Sequence, residues 1–223
     1  MKFIVIEGLD GSGKSTQIKL LKDYLEKNHI KYEYLHFPRT NSPVYGELIA
    51  RFLRGELGDN NTVNPYLIAL IYAGDRNDAK DLIYKWRKEG YFVLVDRFVI
   101  SNIAFQCAKL QNPDDRIKLK NWILNLEFNY NKLPVPDLNI FLDVPFEFTT
   151  SQLTNTRAGE DRDYLLGNRD IHENDLVFQK RVREVYLSLE KELKDFQIIN
   201  CSTSDGKVLP PVEIFNKILK SIF

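Results

Sequence analysis

"GLDGSGKST", residues 8–16, fits G-x-x-x-x-G-K-[ST] at Gly8, Gly13, Lys14 and Ser15 with no mismatch. A loop of this kind wraps phosphate in backbone N–H groups and needs glycine where side chains would collide. The helix that follows aims its positive dipole end at the same phosphates. Gly8, Gly11, Ser12, Gly13, Lys14, Ser15 and Thr16 are therefore expected to hold a nucleoside triphosphate. Lys14 would reach the β and γ oxygens, and the Ser15 hydroxyl would ligate Mg²⁺. The motif leaves the phosphoryl acceptor open between water, a protein, a sugar and a nucleotide.

Other residues bear on that choice. "YFVLVDRF" (91–98) is an apolar strand ending in Asp96 and Arg97. Beside a phosphate loop, Asp96 suits the Mg²⁺ shell. A hydrolase has no need of the neighbouring arginine. An enzyme with an anionic acceptor does, because a guanidinium fork bridges two phosphates against their repulsion. "HFPRTN" (36–41) adds Arg39 as a second clamp and Phe37 as an apolar floor. "LIYAGDR" (70–76) places Tyr72 and Arg76 four residues apart on one helix face. "SNIAFQ" (101–106) adds Asn102 and Gln106 with Phe105 between them, and side-chain amides read imide or amide base edges. Each has a plainer reading: Tyr72 and Phe105 as core aromatics, Arg76 as a surface ion pair, Asn102 as a helix cap. Their convergence on one sheet edge favours a nucleotide acceptor.

The elements that must position these residues follow from periodicity. Strand-like runs occur at Phe3–Glu7, Tyr32–His36, Tyr91–Val95, Leu138–Val144 and Phe196–Asn200, with helical periodicity between them. Asn64-Pro65 reads as an N-cap and first turn, and Gly90 as the stop of the same long helix. Phe178, Val182, Val185, Leu189 and Leu193 make the core stripe of a late helix. Alternating strands and helices mean an α/β fold, a five-stranded parallel sheet with helices on both faces. The 223 residues suffice for a single domain. "TNTRAGEDRDYLLGNRD" (154–170) is charge-dense and poorly periodic, which suits a short lid and equally an ordinary solvated loop.

Lys plus Arg equals Asp plus Glu, 31 each, which argues against a nucleic-acid or membrane-surface protein. Cys107 and Cys201 suggest a reducing compartment and no disulfide framework. No run approaches the 18 or so apolar residues of a membrane helix, and no signal segment precedes the first strand.

The ordered series "EGLDGSGKST", "FPR", "YAGDR", "DRFVISNIAFQ", "LPVPDLNIFLDV" and "NRDIHEND" resembles the thymidylate kinases, P-loop nucleoside monophosphate kinases. With a cytoplasmic location expected from the reducing compartment that Cys107 and Cys201 suggest, the resemblance implies γ-phosphoryl transfer from ATP to dTMP with Mg²⁺, a step towards dTTP, in an enzyme that is usually a homodimer. It implies that Asp10 accepts from the acceptor's 3′-hydroxyl, Phe37 lines the acceptor pocket, and Arg39 and Arg97 hold the 5′-phosphate. Tyr72 would stack on thymine, Arg76 would donate to O4, Asn102 and Gln106 would lie at the base edge, and Phe105 would crowd the 2′ position. Asp170 and Glu173 fall in the family's post-lid acidic motif, with Asp170 and His172 at the dTMP site. The stacking position is more often Phe than Tyr, and His172 stands where the family often has Tyr. Some relatives carry a catalytic arginine in the phosphate loop, where this chain has Gly11. The transition-state arginine is then expected from the lid, from Arg157, Arg162 or Arg169, with Arg162 as catalytic residue beside Lys14, Asp96 and Arg97, and Arg157 on ATP.

Three rivals fit less well. A deoxynucleoside kinase would give the Arg39 and Arg97 pair no purpose. A P-loop switch protein should carry N-K-x-D, and "NKLP" lacks the Asp. An adenylate- or shikimate-type kinase would lack the set around Tyr72 and Asn102.

Overall fold

Alternation inside one strand sets the architecture. In β1 (Phe3–Gly8), Phe3 and Val5 enter one core while Ile4 and Ile6 enter another. A strand buried on both faces must be covered by helices above and below. The computed structural model describes residues 2–60, 62–154, 164–167, 170–173 and 175–223. Its other strands are β2 (Tyr32–His36), β3 (Phe92–Asp96), β4 (Leu138–Asp143) and β5 (Phe196–Asn200). They form one sheet in the order β2-β3-β1-β4-β5, with every neighbouring pair parallel. All five expected strands are present, with bounds moved by one residue in β1, β3 and β4. The shift in β3 carries Asp96 into the strand, opposite Ile6 on one side and His36 on the other.

One face is covered by α1 (Lys14–Lys27) and, at the far end of the chain, by α8 (Pro211–Ile222), through Ile18, Leu21, Leu25, Ile214 and Ile218. The second helix, α2 (Tyr45–Leu53), packs on α3 (Pro65–Lys88) through Ile49, Phe52, Leu53 and Ile68. The other face carries α3, α4 (Val99–Cys107) and α5 (Pro113–Leu124), while α6 (Phe146–Thr154) follows β4 and α7 (Leu176–Leu189) completes the layer. Asn64 caps α3 as expected, its side-chain oxygen accepting from Tyr66 N–H at 2.9 Å, and Gly90 follows the last turn. Phe178, Val182, Val185 and Leu189 are the buried stripe of α7, and Leu193 lies past its end. A π-helical turn, Asn125–Tyr130, continues α5. Cys107 and Cys201 are buried free thiols, and burial pushes both up to about 12. The expected lid lies mostly outside the described residues, and so do Arg157, Arg162 and Arg169.

Candidate active site

Parallel strands bring their carboxyl ends to one edge, and ligands of α/β sheets bind outside that edge. A cavity of about 1000 Å³ opens there, lined by residues 10–16 of the phosphate loop and by the residues that follow β2 and β3. Gly13 caps α1 at φ 81, a backbone angle that strains any L side chain. At Gly8 a Cβ would sit 2.5 Å from Ser12 Oγ, so the loop closes tightly only with glycine there. Lys14 folds back over the loop, its Nζ donating to Leu9 O at 3.0 Å and Gly8 O at 3.3 Å. Burial and the Arg97 charge pull its amine down to about 8, against Asp96, Asp10 and Glu7.

Arg97 occupies the turn after β3 at φ 63, a region few non-glycine residues adopt. Its Nη2 donates to Asp10 Oδ1 at 2.7 Å, its Nη1 to Ser101 Oγ at 3.2 Å, and its guanidinium lies 5.1 Å from the Phe105 ring centre. The other Asp10 oxygen accepts from Gln179 Nε2 at 2.9 Å, and Gln179 also donates to His172 O at 3.1 Å. Burial raises the Asp10 carboxyl, but Arg97, Lys14 and the Gln179 amide outweigh it and hold the group ionised well below the usual range.

Glu7 holds the Arg97 turn in place. It is wholly buried. Its Oε1 accepts from Phe98 N–H at 3.0 Å and Ser101 N–H at 3.3 Å, and its Oε2 from Ser101 Oγ at 2.5 Å and Tyr186 OH at 2.9 Å. Neither Glu7 nor Gln179 stands among the sequence-derived site residues. The one signal for Glu7 is a lone carboxylate closing the apolar run "FIVIE".

Asp96 Oδ2 pairs with His36 Nδ1 at 3.2 Å, while Oδ1 is buried with no partner among the described residues. Burial raises the Asp96 carboxyl, but His36, Lys14 and Arg97 bring it below the ordinary value. Asp96, which carries that orphaned oxygen, and Ser15 line the same cavity, and a carboxylate with a hydroxyl is a hard-oxygen donor set, which fits Mg²⁺. Arg39 also lines the cavity, but it is tied down. Its backbone N–H and Nε donate to Asp75 at 2.9 and 2.8 Å, and its Nη2 donates to Asp75 O at 2.9 Å and Asp78 Oδ2 at 2.6 Å.

At the deep end, Tyr72, Arg76, Asn102, Phe105 and Gln106 line the cavity together. Arg76 is an ion-pair residue, but a buried one: Nε and Nη2 donate to Glu127 Oε2 and Oε1 at 2.7 and 2.5 Å. Asn102 lies inside α4 and caps nothing. Phe105 is packed in the core and also lines the cavity. Phe37 is likewise buried and on the lining. Asp170 accepts from Tyr164 OH at 3.0 Å and His172 N–H at 2.8 Å. Burial, with Asp10 and Glu173 nearby, raises it to about 7. The His172 ring is buried against Phe52, Phe105 and Phe178, and its Nε2 has no partner among the described residues.

A family model described as thymidylate kinase matches residues 6–209. The chain is 30% identical over 208 residues to a probable thymidylate kinase of Pyrococcus abyssi, covering 92% of this chain and 91% of that one. It is 31% identical over 195 residues to a thymidylate kinase of Caldanaerobacter subterraneus, covering 87% and 84%. A solved thymidylate kinase structure from Candida albicans superposes with a TM-score of 0.70 at 25% identity, covering 99% of this chain and 90% of that one. This chain belongs to the thymidylate kinase family.

Proposed function

We infer that the chain transfers the γ-phosphoryl group of ATP to the 5′-phosphate of dTMP, giving dTDP and ADP. The observation that carries this reading is the shared cavity: the phosphate loop with Lys14 and the Arg97–Asp10 pair line one space. Lys14 and the loop N–H groups bind the donor phosphates, and Arg97 and Arg39 hold the acceptor phosphate. Asp10 takes the sugar hydroxyl, and Tyr72, Arg76, Asn102 and Gln106 take the base, with Phe105 and Phe37 as walls. Asp170 and His172 close the sugar end. Ser15 and Asp96 would hold Mg²⁺, which when bound neutralises charge on the β and γ oxygens. An ionised phosphate oxygen is already a nucleophile, so no general base is required. Rate then comes from positioning and from charge placed ahead of the reaction. One of Arg157, Arg162 and Arg169, with Arg162 the first candidate and Arg157 towards ATP, would supply the donor that Gly11 lacks, from a lid over about residues 154–170 of a single domain. ADP release measured in parallel with dTMP, thymidine, dUMP and AMP tests the reading. ADP from thymidine and not from dTMP would replace it with a nucleoside kinase.

A homodimer in the cytoplasm completes the proposal. Leu67 and Leu70, 59% and 48% exposed, lie three residues apart on α3, an apolar surface suited to a second copy. No described helix is long and apolar enough to cross a membrane. Sedimentation velocity giving only a 26.1 kDa species would overturn the dimer.

A further inference from the structure

Glu127 stands behind the cavity wall, wholly buried on the π-helical turn. Its Oε1 accepts from two groups, Arg76 Nη2 at 2.5 Å and Asn102 Nδ2 at 3.0 Å, and its Oε2 from Arg76 Nε at 2.7 Å. Asn102 Nδ2 has one further acceptor, the Ala69 carbonyl at 3.0 Å. A primary amide has two ends of opposite polarity, and neither a carboxylate nor a carbonyl can donate. The NH₂ end of Asn102 must therefore face Glu127 and Ala69. That leaves Oδ1, buried and without a partner among the described residues, on a side chain that lines the cavity. Arg76 is held the same way, with Nε and Nη2 spent on Glu127 and the Nη1 edge left for a ligand.

We propose that Glu127 is a positioning residue that sets the hydrogen-bond polarity of the base pocket: a donor from Arg76 beside an acceptor from Asn102. This rests on the dTMP reading and adds the group that enforces it. A base edge with a carbonyl next to a ring N–H, as in thymine or uracil, matches both. Cytosine sets an amino group against the arginine and a bare ring nitrogen against the amide oxygen. A carboxylate serving Arg76 alone would be a structural ion pair; the bond to Asn102 makes it an orienting group.

The test is calorimetric binding of dTMP and dCMP to the full chain, which does not depend on turnover. Glu127→Gln replaces one acceptor oxygen with a donor and leaves the Ala69 carbonyl as the one full acceptor still holding the Asn102 amide. The dTMP-over-dCMP affinity ratio should fall by at least about tenfold, the scale of one well-made base contact. Glu127→Asp keeps both acceptor oxygens and should hold the ratio within about threefold even if both affinities drop. An unchanged ratio in Glu127→Gln, or an equal collapse in Glu127→Asp, overturns the proposal. Wild-type protein that fails to bind dTMP overturns the dTMP reading itself. If Glu127→Gln does not fold, the wild type decides by NMR. The Asn102 side-chain amide protons should be protected from exchange with and without dTMP, and fast exchange would overturn the assignment.

Discussion

The Arg97 guanidinium donates to the Asp10 carboxylate at 2.7 Å, across 87 residues of sequence. The bond joins the turn after β3 to the phosphate loop after β1. It answers part of the arginine's charge, and it fixes the carboxylate on the wall of the cavity that both residues line. Substitutions at these two positions should fail in different ways.

Arg97→Ala should lower kcat/KM for dTMP by about 10²-fold or more, since it removes a charge placed in advance at the transferring group. Arg97→Lys should recover only part, because an ammonium cannot bridge two phosphates as a fork does. Steady-state kinetics with varied dTMP checks both, and a fully active Arg97→Ala enzyme would remove the clamp from the mechanism.

Asp10→Ala should hurt dTMP more than 3′-deoxy-dTMP. A hydrogen bond to a charged group contributes on the order of 1.5–3 kcal/mol, so the ratio of the two kcat/KM values should shift by roughly tenfold or more. Equal losses with both substrates would confine Asp10 to holding Arg97 and the loop.

The buried imidazole of His172 gives a pH signature. Burial first, and then the Lys109 charge, pull it down to about 3 from an ordinary 6.5. The folded protein binds this proton less well than the unfolded chain does. Its contribution to stability is thus complete above pH 6.5 and is lost as pH falls from 6.5 towards 3, at about 1.4 kcal/mol per pH unit. Asp170, raised to about 7, acts oppositely and removes stability as pH rises from about 4 to 7. The difference between proteins isolates the histidine. Between pH 7.5 and 5.5, wild type should lose roughly 1 kcal/mol more than His172→Phe in urea unfolding. Equal losses would mean that the imidazole charges freely in the fold.

Among Arg157→Ala, Arg162→Ala and Arg169→Ala, at least one should lose kcat heavily while still binding dTMP, with Arg162 the first candidate. An arginine at the transferring group contributes about 10³-fold or more, whereas loss of a surface ion pair changes stability by under about 1 kcal/mol. Measuring kcat at saturating ATP beside a dTMP titration separates the two. Near-normal kcat in all three would return the question to the phosphate loop and Arg97.

What the sequence makes legible is what lies close together in it. The glycine spacing at 8–16, the run into Asp96 and Arg97 and the four-residue steps Tyr72–Arg76 and Asn102–Gln106 are local patterns, and the parallel sheet follows from the alternation of elements. The groups that orient those residues are not local. Glu127 meets Arg76 across 51 residues, and it sits on a π turn where the 3.6 period that would reveal its facing breaks down. Gln179 reaches Asp10 across 169 residues from a helix whose apolar stripe hides one amide. Arg39 is legible as a cation, but its engagement by Asp75 and Asp78 depends on how α3 passes β2.

The central place of β1 has a consequence for how the chain is made. Its sheet partners are remote: Phe3 lies opposite Val93, and Ile4 opposite Leu138. At roughly 5–20 residues per second on a ribosome, this strand waits about 5–18 s for β3 and longer for β4. An apolar strand with open edges is an aggregation hazard through that interval. Helix α1 emerges directly after it and brings Ile18, Leu21 and Leu25 onto the Ile4 and Ile6 side. The Phe3 and Val5 side has no cover until α3 and α4 are made. Synthesis thus passes through a stage in which the glycine loop of residues 8–16 is complete and the cavity residues from Tyr72 to Gln106 have yet to be translated. The nascent chain should then depend most on chaperone shelter between the release of α1 and that of β3.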